Sequence, residues 1–362
     1  MEKTVQSSHE IQIQDLSCFL EALEKGASKY QVYGPLREDG VEDYRRINQL
    51  REEEKEGMEK LIFQNAPLLG SVKSFLFPDT EIYLTYQRQG RTMKGEEVKT
   101  TMPQIILGVK ACDLKAIALL DKVFLAPPQD NLYKAHKENT LIVATACGEM
   151  GTHCNCQDFG ITSREILFAD LVMKQNPEGK ILLEGVSTKG MELMTELLNY
   201  PGMEKVEIPR EFVEEAKEEP LRKGSEDFSL NPEEIRHRME ALFDDKLWER
   251  LALRCIGCGS CTYYCPTCHC YDIRDFSRKD QGVRYRTWDS CMFSNFTNMA
   301  GDHNPRPRKV DRIKNRFYHK LSYFVKKQED LACVGCGRCA EVCPVGISIN
   351  TVLKEIGGTC RV

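Results

Sequence analysis

The stretch Cys255–Pro266, CIGCGSCTYYCP, returns near the C-terminus as Cys333–Pro344, CVGCGRCAEVCP. Both read C-x2-C-x2-C-x3-C-P, the spacing by which thiolates hold cubane [4Fe–4S] clusters. Three thiolates two residues apart can wrap one side of a cube, and Gly257, Gly259, Gly335 and Gly337 let the backbone approach closely. The fourth Cys of each run lies beyond that tight loop and ligates the other cluster. The spacing therefore assigns Cys255, Cys258, Cys261 and Cys343 to one cluster, and Cys333, Cys336, Cys339 and Cys265 to a second. A single run is weak; two complete copies in one chain are specific.

Outward from these runs, the composition is that of a soluble globular protein long enough for two domains. A net charge of −5 gives no general reason to expect nucleic acid. Seventeen cysteines are too many to be incidental and too clustered for a disulfide framework. Met1–Ser17 is polar, without the apolar core of a secretory signal, and no apolar run has the length of a membrane span. The expectation is a cytoplasmic protein whose reduced thiols ligate metal, with no direct membrane insertion.

Upstream, Gln14–Lys25 has helical apolar spacing, Tyr30–Tyr33 alternates like a strand, and Arg51–Lys60 reads as a charged helix. Cys18 in the first of these reads as a small buried hydrophobe. Ser71–Gln87 is strand-like around Pro78-Asp79. Gln104–Val109 and Leu141–Ala146 are apolar without alternation, as in strands buried on both faces, and the helix Leu114–Phe124, capped by Asp113, joins them. This β–α–β unit predicts an α/β N-terminal domain with a parallel-containing sheet. Ile166–Lys174 reads as helix, Lys180–Leu183 as strand and Met191–Leu198 as helix. Glu204–Asp227 is a charged linker, and Pro232–Arg254 is helical again. The expected division is residues 1–205, the α/β domain; 206–235, the linker; and 236–362, an α+β bacterial-type dicluster ferredoxin domain carrying a long insertion.

Cys112 and Cys147 fall just past the C-terminal ends of the two buried strands, the edge where open α/β sheets bind ligands. Cys154 and Cys156 follow closely, and the neighbouring His153 is a candidate substitute ligand. Three readings stay open for this set: a third [4Fe–4S] cluster, a zinc site, or unliganded thiols.

The segment between the runs holds Cys268-His269-Cys270 and Cys291, and Arg306–Lys327 has nine Lys or Arg against one acid, Asp311. The thiols could bind a metal or a thiol substrate, or donate weak hydrogen bonds that tune a cluster. The basic run could dock an acidic redox partner or hold a cofactor phosphate. The plainer expectation is thiols packed beside the clusters and a solvated charged helix.

With these landmarks placed, the chain resembles the iron–sulfur beta subunits of cytoplasmic sulfhydrogenases, the A subunit of anaerobic sulfite reductase and the Rnf C-like subunit that accompanies acetogen methylenetetrahydrofolate reductase. The resemblance rests on GVKACDLKAI (108–117), ENTLIVATACGEMGTHCNC (138–156), CIGCGSCTYYCPTCHCYDIRD (255–275), and TWDSCMFSNFT with AGDHNPRP (287–307). It implies a non-catalytic electron-transfer subunit of an anaerobic multi-subunit oxidoreductase. Its partners would be a flavin-containing, NAD(P)H-linked subunit or ferredoxin on one side, and a catalytic subunit on the other. That catalytic subunit would be of hydrogenase, sulfite reductase or methylenetetrahydrofolate reductase type.

No G-x-G-x-x-G follows a strand and no Walker-A loop is present, so neither flavin nor nicotinamide is expected on this chain. Two rivals remain to be tested: a thiol or sulfur reductase working through Cys268 and Cys270 beside a cluster, and a zinc-ribbon nucleic-acid binder.

Overall fold

A computed structural model describes residues 10–356 except 27–28, 48–49, 51, 65–66, 99–101, 162–167, 177 and 207–229. Most of the expected charged linker lies outside the described residues. Twelve strands are described: β1 Glu10–Ile13, β2 Gln31–Glu38, β3 Val41–Arg46, β4 Thr80–Gln89, β5 Thr92–Glu97, β6 Gln104–Val109, β7 Thr140–Ala144, β8 Leu171–Gln175, β9 Ile181–Gly185, β10 Met203–Val206, β11 Tyr271–Arg278 and β12 Gln281–Trp288. Eight form one sheet in the order β10-β1-β9-β8-β7-β6-β2-β3. Its centre, β2-β6-β7-β8, is parallel and its flanks are antiparallel.

The unpatterned apolar runs of β6 and β7 are explained by burial on both faces. Ile105, Leu107, Leu141 and Val143 pack with Phe19, Leu23, Met58, Ile62 and Leu197, from helices Leu16–Gly26, Glu52–Phe63 and Thr188–Leu197. Ile106, Val109, Ile142 and Ala144 pack with Leu114, Ile117, Leu120, Phe124 and Tyr133, from helices Ala111–Phe124 and Asn131–Glu138. The β6–helix–β7 crossover is parallel, from Gln104↔Thr140 to Leu107↔Val143. That is the β–α–β unit expected from the sequence.

Three local expectations are corrected. The helix after β6 begins at Ala111, with Lys110 as its N-cap residue, so Asp113 lies in the first turn and does not cap it. Asp113 instead accepts a buried ion pair from Arg338, a partner too distant in sequence to be foreseen. The helix expected over Ile166–Lys174 is in its described part the strand β8, whose Leu171 and Met173 face one core and Val172 the other. Ser71–Gln87 is not one strand: a short helix, Lys73–Leu76, precedes β4.

The second sheet has the order β11-β12-β4-β5, all antiparallel. It joins strands from residues 80–97 to strands from residues 271–288. Arg286, buried in β12, pairs with Glu81 of the neighbouring strand β4 (2.8 Å) and reaches the helical layer through Asp130 (2.8 Å), the N-cap residue of helix Asn131–Glu138. A third core surrounds Trp248, Phe317, Tyr318 and Leu353, on helices Leu247–Arg254, Lys309–Tyr318 and Ile349–Glu355. Both cysteine runs sit on it.

Candidate metal centres

Each cysteine run is a loop followed by one turn of helix, Ser260–Tyr263 in the first and Arg338–Glu341 in the second. The loops owe their shape to glycine: Gly257, Gly259, Gly335 and Gly337 have φ of +75°, +78°, +57° and +78°. Backbone N–H groups turn toward sulfur, from Gly257 to Cys255 Sγ (3.3 Å) and from Ile347 to Cys343 Sγ (3.2 Å). Such bonds favour thiolate over thiol.

Two small cavities follow. Cys255, Cys258, Cys261 and Cys343 line the first, with Met292, Ile313, Arg316 and Phe317. Cys265, Cys333, Cys336 and Cys339 line the second, with Asn155, Thr267, Arg316 and Lys320. Each cavity thus takes three thiols from one run and the fourth from the other. Burial pushes Cys261 up to about 11 and Cys336 up to about 12. Thiols this reluctant to ionise need a nearby positive centre to become thiolates.

The protein supplies part of that charge. Arg316 and Lys320 are buried, and among the described residues neither makes an ion pair. Arg316 Nη2 donates to the Cys261 carbonyl (3.4 Å), while its Nε has no partner. Lys320 Nζ donates to Thr267 Oγ1 (2.7 Å) and the Ala332 carbonyl (2.8 Å). A buried cation without an anion costs several kcal/mol. An anionic thiolate-ligated cluster in each cavity would remove that cost, so the donor set and the orphaned charge both fit [4Fe–4S] groups. The expectation of a solvated basic helix fails here. Ile313, Arg316, Phe317, Lys320 and Leu321 form one buried stripe, and the π-helical turn His319–Tyr323 falls where Lys320 meets the second cavity. That i, i+3, i+4 spacing was present in the sequence, masked by the density of charge around it.

Cys268, Cys270 and Cys291 line neither cavity. The Cys268 thiol hydrogen-bonds to Cys265 and holds it well below the ordinary thiol value, despite burial. The Cys291 thiol likewise hydrogen-bonds to Cys270 and lowers it from the ordinary thiol value.

The N-terminal thiols lie past the C-terminal ends of β6 and β7. Cys112 and Cys156 are buried, Cys147 and Cys154 partly so. Burial raises Cys147, with Cys154 adding to the effect, and burial raises Cys156 to about 12, reinforced by Cys147, Cys154 and Cys336. Cys112 is raised by burial and by Asp113, with further contributions from Cys336 and Cys147. Cys154 Sγ donates to the Cys336 carbonyl (3.6 Å), and Asn155 N–H to that of Gly335 (2.8 Å), so this loop lies against the second run. His153 turns aside toward Glu341 (3.6 Å). Among the described residues no three His, Cys, Asp or Glu side chains are grouped to hold a single metal ion. A zinc tetrahedron would draw sulfurs to within about 4 Å of each other.

Residues 254–347 match the family described as "4Fe-4S dicluster domain". The fold and the thiol cavities thus define an iron–sulfur protein of the 4Fe–4S class. Over 330 residues, 90% of this chain and 92% of the relative, it is 31% identical to "Sulfhydrogenase 2 subunit beta" of Pyrococcus furiosus. The chain belongs to this iron–sulfur beta-subunit family. No helix among the described residues is long and apolar enough to cross a membrane.

Proposed function

We propose that the chain is an electron-relay subunit holding two [4Fe–4S] clusters, ligated by Cys255, Cys258, Cys261 and Cys343, and by Cys333, Cys336, Cys339 and Cys265. The observation that carries this reading is the crossed lining of the two cavities, three thiols from one run and one from the other. When bound, each cluster accepts and donates one electron. The protein's own part is to shield the centres, direct N–H groups at sulfur and place Arg316 and Lys320 beside them. General acid–base residues are not required.

Cys112, Cys147, Cys154 and Cys156 are read as ligands of a third [4Fe–4S] cluster, a reading supported by their effect on one another's ionisation and by the contact of the Cys154 loop with the second run. Residues 1–205 then form an α/β domain with this site, except that β4 and β5 pair with β11 and β12; 206–235 is a linker, and 236–362 the ferredoxin-like part with its long insertion. Partners are flavin-containing and catalytic subunits of a larger assembly, as the relative's designation as a beta subunit suggests, or ferredoxin. Cys258 is the exposed thiol of the eight, and it borders an open cleft with Tyr263, Tyr264 and Trp288. The first cluster is therefore the one a partner reaches. A thiol reductase acting through Cys268 and Cys270 draws less support, because those thiols are turned inward onto Cys265 and Cys291.

The test is iron, acid-labile sulfide and zinc per chain in protein purified without oxygen. About twelve irons and sulfides support all three sites, and about eight remove the N-terminal one. Zinc without sulfide would sink the relay reading.

A further inference from the structure

Arg316 is the residue common to both cavities. It is 3% exposed, its Nη2 donates to the Cys261 carbonyl (3.4 Å), and its Nε has no partner. Lys320 lines only the second cavity, where its Nζ donates to Thr267 Oγ1 (2.7 Å) and the Ala332 carbonyl (2.8 Å). The two side chains lie one helical turn apart on the buried stripe, so they are held by packing and not by a flexible stem in solvent.

Gaining an electron makes a thiolate-ligated cluster more negative by one charge. A fixed cation in a low-dielectric interior stabilises that added charge far more than it would in water. We propose that Arg316 is a shared positioning charge that raises the reduction potentials of both clusters together, and that Lys320 raises the potential of the second alone. This rests on the two-cluster reading above. Its consequence is that the driving force between the two centres is set by Lys320, while Arg316 moves the pair as a unit against external partners.

The experiment is a redox titration followed by electron paramagnetic resonance on anaerobically purified full-length protein, wild type against Arg316→Gln, Arg316→Lys and Lys320→Met. Iron and sulfide are measured on the same samples. Expected results are lowered potentials for both clusters in R316Q, near wild-type potentials in R316K, and one lowered potential in K320M. If R316Q keeps its iron yet shifts neither cluster or only one, the inference is overturned. If R316Q loses iron, the R316K and K320M samples decide: wild-type potentials in the first and a single shift in the second sustain it. Iron loss in R316K as well would show that guanidinium shape, not charge, is what matters, and overturns it. A wild-type protein with fewer than eight irons would instead remove the two-cluster reading itself.

Discussion

Arg338 and Asp113 form a bidentate ion pair (2.9 and 2.7 Å) at 3% and 0% exposure, one residue from Cys339 and Cys112 respectively. Arg338 also donates to the carbonyls of Leu68 (2.7 Å) and Gly70 (3.1 Å). Removing one partner of such a pair leaves a buried charge, so Asp113→Asn is expected to cost about 3 kcal/mol, measured as a lowered denaturation midpoint. Glu81 offers a pH-dependent counterpart. Burial alone would raise its carboxyl, but His136 (2.6 Å) and Arg286 (2.8 Å) outweigh that and hold it below the ordinary 4.5. A depressed carboxylate contributes stability that is complete above its unfolded value and is lost as pH falls through its folded one. The denaturant midpoint should drop as pH falls below the ordinary glutamate range, and Glu81→Gln should flatten that drop.

The cluster-binding loops are elements whose glycines do more than turn the chain. A Cβ on Gly337 would lie 2.6 Å from the His153 carbonyl carbon, on a backbone already at φ +78°. Gly337→Ala is expected to lift the His153–Cys156 loop off the second run, lowering iron from its wild-type value by at least one cluster's worth of about four. Gly346→Ala is the control: φ is +65°, but the nearest atom is Arg254 Nη2 at 3.9 Å, so only a left-handed penalty of about 1–2 kcal/mol is expected. Elements were legible in the sequence where one local cause dominated. Cysteine spacing marked out the stretch that matches the dicluster family, and unbroken apolar runs placed β6 and β7. β8 was missed because Leu171, Val172 and Met173 suit either period, and its neighbours β7 and β9 decide the matter. Arg316 and Lys320 were missed because a charged residue on an apolar stripe reads as solvated until the opposing thiols are seen.

At the scale of the molecule, charge is uneven. Residues 246–261 and 306–314, which flank the first cavity, carry eight Lys or Arg against Glu249 and Asp311, in a chain of net −5. Leu253 (86% exposed) and Ile256 (65%) stand among them, beside Cys258. Electron exchange with an acidic ferredoxin should therefore slow as ionic strength rises. Leu253→Glu should slow it further while leaving reduction by dithionite unchanged, a comparison made by stopped-flow bleaching of the cluster absorbance. Reading this face from sequence was half possible: the basic density was visible, but its position beside Cys258 depends on helices Leu247–Arg254 and Lys309–Tyr318 packing through Trp248 and Phe317.

The sheet that unites β4-β5 with β11-β12 also carries a consequence for biosynthesis. β4 is translated with β5 beside it, but its other edge waits for β12, roughly 190 residues later, or about 10–40 s at the usual pace of a ribosome. Through that interval the nascent chain presents an unpaired strand edge of the kind that recruits stray strands into aggregates. The N-terminal half must meanwhile hold the Lys73–Leu76 corner and Glu81 in place without Arg286. Slowing the emergence of β12, as by rare codons after residue 230, should lower soluble yield more than the same delay placed after residue 290.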